Sequence, residues 1–385
     1  MRKSNFEPTL ILGATGSVGR QALDVARCCA IPVRGVSANT NWREIERAVR
    51  EFRVPAAAMA DENAAKELRA ALSDTNTRVF AGEAGVLDMI RESDATAAVN
   101  AIVGQAGLLP TLSVIDAGKR LALANKESLV VAGEIVMRRA KEKGVKITPV
   151  DSEHSAIYQS LRAGRHGEIK KLILTASGGP FFGMNRAQLE KITVADALAH
   201  PTWKMGAKIT VDSATLMNKG FEVIEAAHLF RVPADKIEVV VHRESIIHSM
   251  VEYIDNSVIA ELSVPDMRLC VQYALTAPAR MDAVIPELSL TKVGKLTFLP
   301  PDEETFPLLP AARAALAAGG GVPAVLNAAN EVAVAAFLAG KISLPRLFDT
   351  VLGVIADMPH AKDAHTLDEI LTTDREAREH AETRL

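Results

Sequence analysis

The sequence has few cysteines, no surplus of positive charge and no long apolar run. Its 385 residues include three cysteines, the adjacent Cys28 and Cys29 and the distant Cys270. This odd, clustered set is not a disulfide framework and is typical of a reducing cytoplasm. A net charge of −3 offers no basic excess to a nucleic acid. Without a membrane-length apolar run or a secretory signal, we expect a soluble, unprocessed cytoplasmic protein.

The length and the order of the apolar patterns indicate several domains. Strand-like runs such as "TLILG", "AAVNAIVG" and "VKITPVD" alternate with helical stretches, which predicts a doubly wound, Rossmann-like α/β domain over residues 1–150. Residues 151–276 predict a central α+β catalytic domain with strands around the helix "SATLMNKGFEVIEAAHLF". Residues 277–306 read as a Pro-rich linker, and residues 307–385 contain only helical patterns, which predict a small C-terminal bundle.

A glycine-rich turn follows the first strand-like run. In "LILGATGSVGR", Gly13, Gly16 and Gly19 precede a helical stretch, so the backbone can approach a pyrophosphate placed at the helix N-terminus. The alternative is a tight strand-to-helix turn without a ligand. The second strand ends in "VSANTNWR", where Asn39, Thr40 and Asn41 stand in place of the acid that NAD binders use. This absence favours NADP.

Two later strands end in polar residues. "ALANKES" places Asn125, Lys126 and Glu127 at the carboxyl end of one strand, and "PVDSEHS" places Asp151 and Glu153 at the end of another. Open α/β sheets bind ligands at this edge.

Asp151 and Glu153 have two interpretations. Asp151 and Ser152 are ordinary caps for a helix that begins near Ser155. In an extended chain, however, residues i and i+2 point the same way, so the two carboxylates are able to close on one hard cation. The shared edge with a dinucleotide site favours the cation.

A second set of polar residues lies in "VDSATLMNKGFEVIEA". If this stretch is helical from about Ala214, Asn218 and Glu222 share a face. With Ser213 and Lys219 they combine donors for a phosphate with an acid for a metal; the alternative is an exposed polar face. Upstream, "TASGGPFF" places Ser177 before two glycines, which is either an anion-binding nest or a plain tight turn.

The segment "AHPTWKMGAKIT" between these two sets has no regular period. It carries His200, Trp203, Met205 and Gly206. Aromatic and sulfur side chains on a loop with a glycine are able to cover a substrate and exclude water, so residues 200–210 predict a mobile lid. A structural loop is the alternative.

Together these stretches resemble the 1-deoxy-D-xylulose 5-phosphate reductoisomerase family over nearly the whole chain. The stretches that carry the resemblance are "GATGSVG", "ALANKESLV", "VDSEHSAI", "ASGGPF", "HPTWKMGAKITVDSATLMNKGFEVIEA", "IIHSMVEY", "PDMR" and "LNAANEVAVAAFL". The resemblance implies a metal- and NADPH-dependent rearrangement and reduction of 1-deoxy-D-xylulose 5-phosphate to 2-C-methyl-D-erythritol 4-phosphate, in isoprenoid precursor biosynthesis. It also implies a homodimer.

The resemblance assigns site residues in three groups. One Mg or Mn ion is implied at Asp151, Glu153 and Glu222, which with Lys126 form the catalytic group. The substrate is implied to contact Lys126, Glu153 and Glu222 of this group, together with Ser152, Ser177, His200, Trp203, Ser213, Asn218 and Lys219. NADPH is implied to contact Thr15, Gly16, Ser17, Val18, Asn125, Glu127, Gly206 and Met267, in addition to the second strand end at Asn39, Thr40 and Asn41.

Two other functions share some of these features. A metal-dependent NADP dehydrogenase without isomerisation needs the same carboxylates and glycine turn. A non-enzymatic NADP-sensing protein needs the glycine turn but has no use for three carboxylates.

Overall fold

The computed structural model describes residues 6–203 and 205–385. Its strands are β1 (Thr9–Leu12), β2 (Val33–Ala38), β3 (Ala56–Met59), β4 (Arg78–Ala81), β5 (Ala97–Asn100), β6 (Arg120–Leu123), β7 (Ile147–Pro149), β8 (Ile169–Ala176), β9 (Ile237–Val241), β10 (Ile247–Tyr253) and β11 (Val258–Leu262). Its helices are α1 (Ser17–Cys29), α2 (Trp42–Phe52), α3 (Glu62–Ala71), α4 (Gly82–Glu92), α5 (Leu108–Asp116), α6 (Glu127–Lys143), α7 (Ser152–Ser160), α8 (Arg186–Leu189), α9 (Val194–Leu198), α10 (Ala207–Ala214), α11 (Met217–Phe230), α12 (Met267–Thr276), α13 (Leu290–Val293), α14 (Leu308–Ala318), α15 (Val322–Leu338), α16 (Leu344–Asp357) and α17 (Leu367–Thr383).

The chain folds into two compact units. The first unit contains the described residues up to Ser128, with Val136–Ser155 and Asp266–Pro286. The second unit contains Leu129–Ile135, Ala156–Pro265 and Glu287–Leu385. None of the helices in the described ranges has the length and apolar character needed to cross a membrane.

The first unit is built on a parallel sheet. Among its described residues, seven strands pair in the order β4-β3-β2-β1-β5-β6-β7, so the chain winds outward from β1 in both directions. The change of direction beside β1 opens a crevice at the carboxyl edge of the sheet, where ligands of such folds bind. The Rossmann-like prediction is confirmed. The sequence did not reveal β4, because this edge strand is short and Arg78 and Ala81 are exposed.

Helix α12 belongs to the first unit, which corrects the expected boundary at residue 276. It packs against α1, and its buried Val271, Ala274 and Leu275 join the core that contains Ile11 and Val99. The apolar face of α1 is therefore completed by a segment that returns from far along the chain. No local pattern in the sequence announces such a return.

The second unit combines a smaller sheet with helices. In its described part, four strands pair in the order β11-β10-β8-β9, antiparallel around β10 and parallel between β8 and β9. Helices α11 and α14 pack together, as do α15, α16 and α17. Side chains of the sheet such as Leu174 share one apolar core with Leu309 and Phe337. The α+β texture and the helical end of the chain are confirmed.

Candidate active site

The glycine turn of the first unit connects β1 to α1. Gly13 has a φ of +76°, and a Cβ at this position would lie 2.6 Å from the backbone oxygen of Ala101. Only glycine fits both demands. In the described residues no side chain caps α1 at Gly16, so the N–H groups at Ser17 and Val18 start a helix whose dipole favours an anion at this point. Thr15 lies within this turn.

The end of β2 carries the three residues expected beside the ribose. The Oδ1 of Asn41 caps α2 by accepting the N–H of Glu44 at 3.4 Å. Asn39 accepts a backbone hydrogen bond from Asp61 at 3.2 Å. The Asp61 carboxylate in turn accepts the N–H of Ala64 at 2.7 Å. The carboxylate of Asp61, whose backbone contacts Asn39, is thus engaged in capping α3.

Asn125 and Glu127 lie at the end of β6 and are buried. The Asn125 carboxamide donates to the backbone oxygens of Ile102 and Gly104, both at 2.8 Å. It also donates to the Glu127 carboxylate at 3.1 Å. Asn125 therefore holds the loop after β5, and through it the carboxyl edge of the sheet.

Asp151, Glu153 and Lys126 form a compact charged group in the first unit. Lys126 Nζ lies 2.6 Å from Asp151 Oδ2. One carboxylate oxygen of Asp151 and one of Glu153 lie within 4.8 Å of each other. Ser152 donates its N–H to Asp151 at 2.9 Å and its hydroxyl to Glu153 at 2.5 Å. The buried His154, which the sequence analysis did not single out, places Nδ1 3.9 Å from Asp151.

The extended chain predicted for Asp151 and Glu153 is wrong, although their two carboxylates do lie close together. Helix α7 begins at Ser152, three residues before the expected start, so Glu153 stands in a first helical turn and not in an extended chain. Asp151 precedes the helix and accepts the backbone N–H of Ser152. The capping and the clustering of the two acids therefore occur together.

The donor set fits a hard divalent cation. Asp151 and Glu153 offer carboxylate oxygens, the ligands that Mg²⁺ and Mn²⁺ prefer. The Asp151 side chain is only 13% exposed, so little water competes for it. The Lys126 ammonium offsets part of the negative charge of this pair.

The second unit brings together His200, Ser177 and Ser213. His200 Nδ1 accepts the backbone N–H groups of Thr202 and Trp203 at 3.2 and 3.0 Å. Burial, helped by the nearby Arg243 charge, lowers the pKa of His200 below its ordinary value, so the ring is neutral near pH 7. With Nδ1 accepting, the proton lies on Nε2, which is 3.0 Å from Ser177 Oγ and 3.1 Å from Ser213 Oγ.

Arg243 is a member of this group that sequence reasoning missed. Its Nη1 donates to the backbone oxygens of Ser177 and Gly179 at 2.8 and 2.6 Å. It lies in a turn after β9, more than 60 residues from the loop that it contacts. No local pattern singles it out, because it falls inside the strand-like run "KIEVVVHRESIIHSMVEYI".

Glu222 is fully buried on α11 and is held by two neighbours from its own helix. Asn218 Nδ2 donates to Oε1 at 2.5 Å, and the Lys219 ammonium donates to Oε2 and to the backbone oxygen of Thr175. The expected shared face of Asn218 and Glu222 is present. Helix α11 begins at Met217, because Leu216 adopts a left-handed φ of 59° that separates α11 from α10.

The expected lid is irregular only in part. Trp203 is half-buried, and its ring centroid lies 6.0 Å from that of His248. Lys204 lies outside the described residues. Gly206 caps α10, so residues 207–210 are helical. Met267 lies in the first unit as the first residue of α12, packed against the core around α1.

Three family models match the chain. The model of 1-deoxy-D-xylulose 5-phosphate reductoisomerase covers residues 9–133. The model of its C-terminal domain covers residues 147–230, and a further model of a DXP reductoisomerase C-terminal domain covers residues 262–380. Together these matches include most of the chain.

Relatives over the full length carry the same name. A 1-deoxy-D-xylulose 5-phosphate reductoisomerase of Acetivibrio thermocellus is 50% identical over 371 residues, 96% of each chain. One of Caldanaerobacter subterraneus subsp. tengcongensis is 49% identical over 373 residues, 96% of this chain and 97% of the relative.

Solved structures agree in fold. The Zymomonas mobilis 1-deoxy-D-xylulose 5-phosphate reductoisomerase in complex with NADPH superposes with a TM-score of 0.91 at 39% identity, over 98% of this chain and 99% of that one. A DOX-P reductoisomerase in complex with NADPH, fosmidomycin and magnesium gives 0.94 at 38% identity, over 98% of both chains. This chain belongs to the 1-deoxy-D-xylulose 5-phosphate reductoisomerase family.

Proposed function

We propose that the protein converts 1-deoxy-D-xylulose 5-phosphate to 2-C-methyl-D-erythritol 4-phosphate with NADPH and one Mg or Mn ion, in isoprenoid precursor biosynthesis. The observation that carries the proposal is the Asp151 and Glu153 pair, because two partly buried carboxylates at the carboxyl edge of a dinucleotide-type sheet suit a cation beside a cofactor. Relatives of the same family at about half identity support the substrate.

Asp151, Glu153 and Glu222 hold the ion. Asn218 and Lys219 hold the Glu222 carboxylate in place, and the Lys219 ammonium offsets its charge. When bound, the ion supplies Lewis acidity toward the carbonyl and hydroxyl oxygens of the substrate while its carbon skeleton rearranges. Lys126 and Ser152 lie against Asp151 and Glu153, where they contact the reacting end of the substrate.

The phosphate of the substrate lies against the second set of residues. Ser177, Ser213, Asn218 and Lys219 donate to it. Because His200 Nε2 carries its proton and points at both serine hydroxyls, it turns the hydroxyl protons outward toward the anion. The phosphate is remote from the reacting carbons, so its binding energy positions the substrate. Trp203 covers the bound substrate.

NADPH occupies the crevice of the first unit. Thr15, Gly16, Ser17 and Val18 hold the pyrophosphate at the N-terminus of α1, and the polar end of β2 at Asn39, Thr40 and Asn41 accommodates the 2′-phosphate. The nicotinamide side of the cofactor is contacted by Asn125, Glu127, Gly206 and Met267. When bound, NADPH supplies the hydride that reduces the rearranged aldehyde.

Purified protein, the keto sugar phosphate, NADPH and Mg or Mn test this function. We expect loss of NADPH absorbance and formation of the branched-chain polyol phosphate. A chelator stops turnover, and added metal restores it. A dehydrogenase without isomerase activity would reduce the pre-formed branched aldehyde but leave the keto sugar untouched. A sensing protein would bind NADPH with no turnover of either substrate.

The protein forms a homodimer in the cytoplasm. Strand β11 stands at the edge of its sheet and exposes Val258, Ile259 and Leu262. An exposed apolar edge strand is a pairing surface. The free cysteines fit a reducing compartment. Sedimentation of the wild-type protein and of Ile259→Lys tests the dimer, which we expect the lysine to weaken.

A further inference from the structure

The turn from Ser177 to Gly179 has an unusual backbone that an arginine holds in place. Gly178 and Gly179 have φ values of 74° and 65°, which orients the carbonyl groups of Ser177 and Gly179 to one side. Arg243 Nη1 donates to both oxygens at 2.8 and 2.6 Å. On the other side of the turn, Gly179 N–H donates to Ser177 Oγ at 3.2 Å. The turn is therefore fixed from both sides.

The guanidinium of Arg243 is itself positioned. Its central carbon lies 5.2 Å from the ring centroid of Phe182. Because Gly178 has no side chain, Arg243 and Val241 fill the space beside it. A cation over an aromatic face and two carbonyl acceptors give this side chain one preferred placement. It is able to transmit that placement to Ser177.

We infer that Arg243 is a positioning residue for the phosphate of the substrate: it sets the turn that presents Ser177 Oγ and places a fixed positive charge behind it. This inference rests on the proposed function of the same group. Without Arg243, two successive glycines leave the turn free to adopt many conformations, and Ser177 no longer stays 3.0 Å from His200 Nε2.

The charge of Arg243 has a second effect on the same group. Burial and then the Arg243 charge lower the pKa of His200, which keeps the ring neutral with its proton on Nε2. A neutral residue at position 243 would let His200 gain a proton at a higher pH. The dependence of substrate binding on pH therefore reports on Arg243, and a purely structural role would leave it unchanged.

Arg243→Met and Arg243→Lys test the inference, with Arg313→Met as a matched control. Arg313 also donates to two backbone oxygens of the second unit, at Ala234 and Ile237, but it contacts no residue of the proposed site. We expect Arg243→Met to raise the KM for the sugar phosphate at least about tenfold, with the KM for NADPH unchanged. Arg243→Lys keeps the charge and recovers part of this loss. Arg313→Met keeps the wild-type values.

Calorimetric titration of the holoenzyme with inorganic phosphate separates this inference from the proposed function. Weaker phosphate binding by Arg243→Met than by Arg313→Met supports the inference whether or not the wild type turns over the sugar phosphate. An unchanged KM and phosphate affinity in Arg243→Met overturns it, as does an equal loss in both variants. If Arg243→Met does not fold, Arg243→Lys decides. A phosphate affinity and a KM equal to those of the wild type in Arg243→Lys would mean that the hydrogen bonds to the two carbonyl oxygens are not needed, and this result overturns the inference.

Discussion

Lys126 places its ammonium nitrogen 2.6 Å from Asp151 Oδ2, and both side chains are nearly buried. A buried carboxylate that has lost its hydration needs a counter-charge. In the absence of a divalent ion Lys126 provides it. The same contact places a proton donor next to the position of the proposed ion, which is where the proposed function needs a group that contacts the substrate.

Glu153→Gln removes one charged ligand of the proposed metal while preserving shape. We expect turnover to fall by a factor of about a hundred or more, because a neutral amide is a weak ligand for Mg²⁺. NADPH binding, measured by fluorescence titration, stays as in the wild type because the glycine turn is untouched. The exposed Glu142→Gln is the control. Wild-type turnover by Glu153→Gln at ordinary metal concentration would contradict the assignment of Glu153 as a metal ligand.

The cofactor preference follows from the end of β2. We expect a far higher kcat/KM with NADPH than with NADH, because Asn39, Thr40 and Asn41 present no carboxylate to repel a 2′-phosphate. Asn39→Asp introduces that repulsion and shifts the ratio toward NADH. Steady-state kinetics with both cofactors measure the change. Equal efficiency of the wild type with the two cofactors would refute the assignment.

Trp203 tests the expected lid. Trp42→Phe leaves Trp203 as the single tryptophan of the chain, and its fluorescence should change more with NADPH, Mg and a phosphonate mimic together than with the mimic alone. Trp203→Ala should raise the KM for the substrate strongly with little effect on Tm, since a lid stabilises the closed complex more than the folded core. If the Trp203 fluorescence does not change with any ligand, or if Trp203→Ala unfolds, Trp203 is only a packing residue.

Histidine burial makes stability depend on pH. Burial lowers the pKa of His228 below its ordinary value of 6.5, and Glu134 opposes this in part. Above pH 6.5 the ring is neutral in both states and contributes no pH dependence. As the pH falls below 6.5, the unfolded chain binds a proton that the folded chain does not, so the free energy of unfolding falls.

We therefore expect His228→Gln to lose less stability than the wild type between about pH 7.5 and about pH 5.5. Urea unfolding at the two pH values measures the difference, and the comparison of slopes removes the packing change common to both. His360, which is exposed, provides the matched His360→Gln control. A steeper loss in His228→Gln than in the wild type would contradict the assignment.

Short-range patterns in the sequence were enough to predict the elements whose side chains repeat with the period of a strand or a helix. The parallel sheet follows from alternating runs, and the shared face of Asn218 and Glu222 follows from helical spacing. Asp151 and Glu153 were paired through an extended chain that is in fact helical from Ser152. Arg243 gave no signal, because its partners at Ser177 and Gly179 are brought to it only when β8 pairs with β9.

The return of α12 to the first unit has a consequence for how the protein is made. The core around α1 lacks Val271, Ala274 and Leu275 until the ribosome has added them, so this core stays incomplete while Leu129–Ile135 and Ala156–Pro265 of the second unit are synthesised. A fragment that ends at residue 150 would expose that apolar face to water and to other chains. The cofactor-binding half is therefore not a portable module: a soluble version would need residues 266–286 fused back onto it.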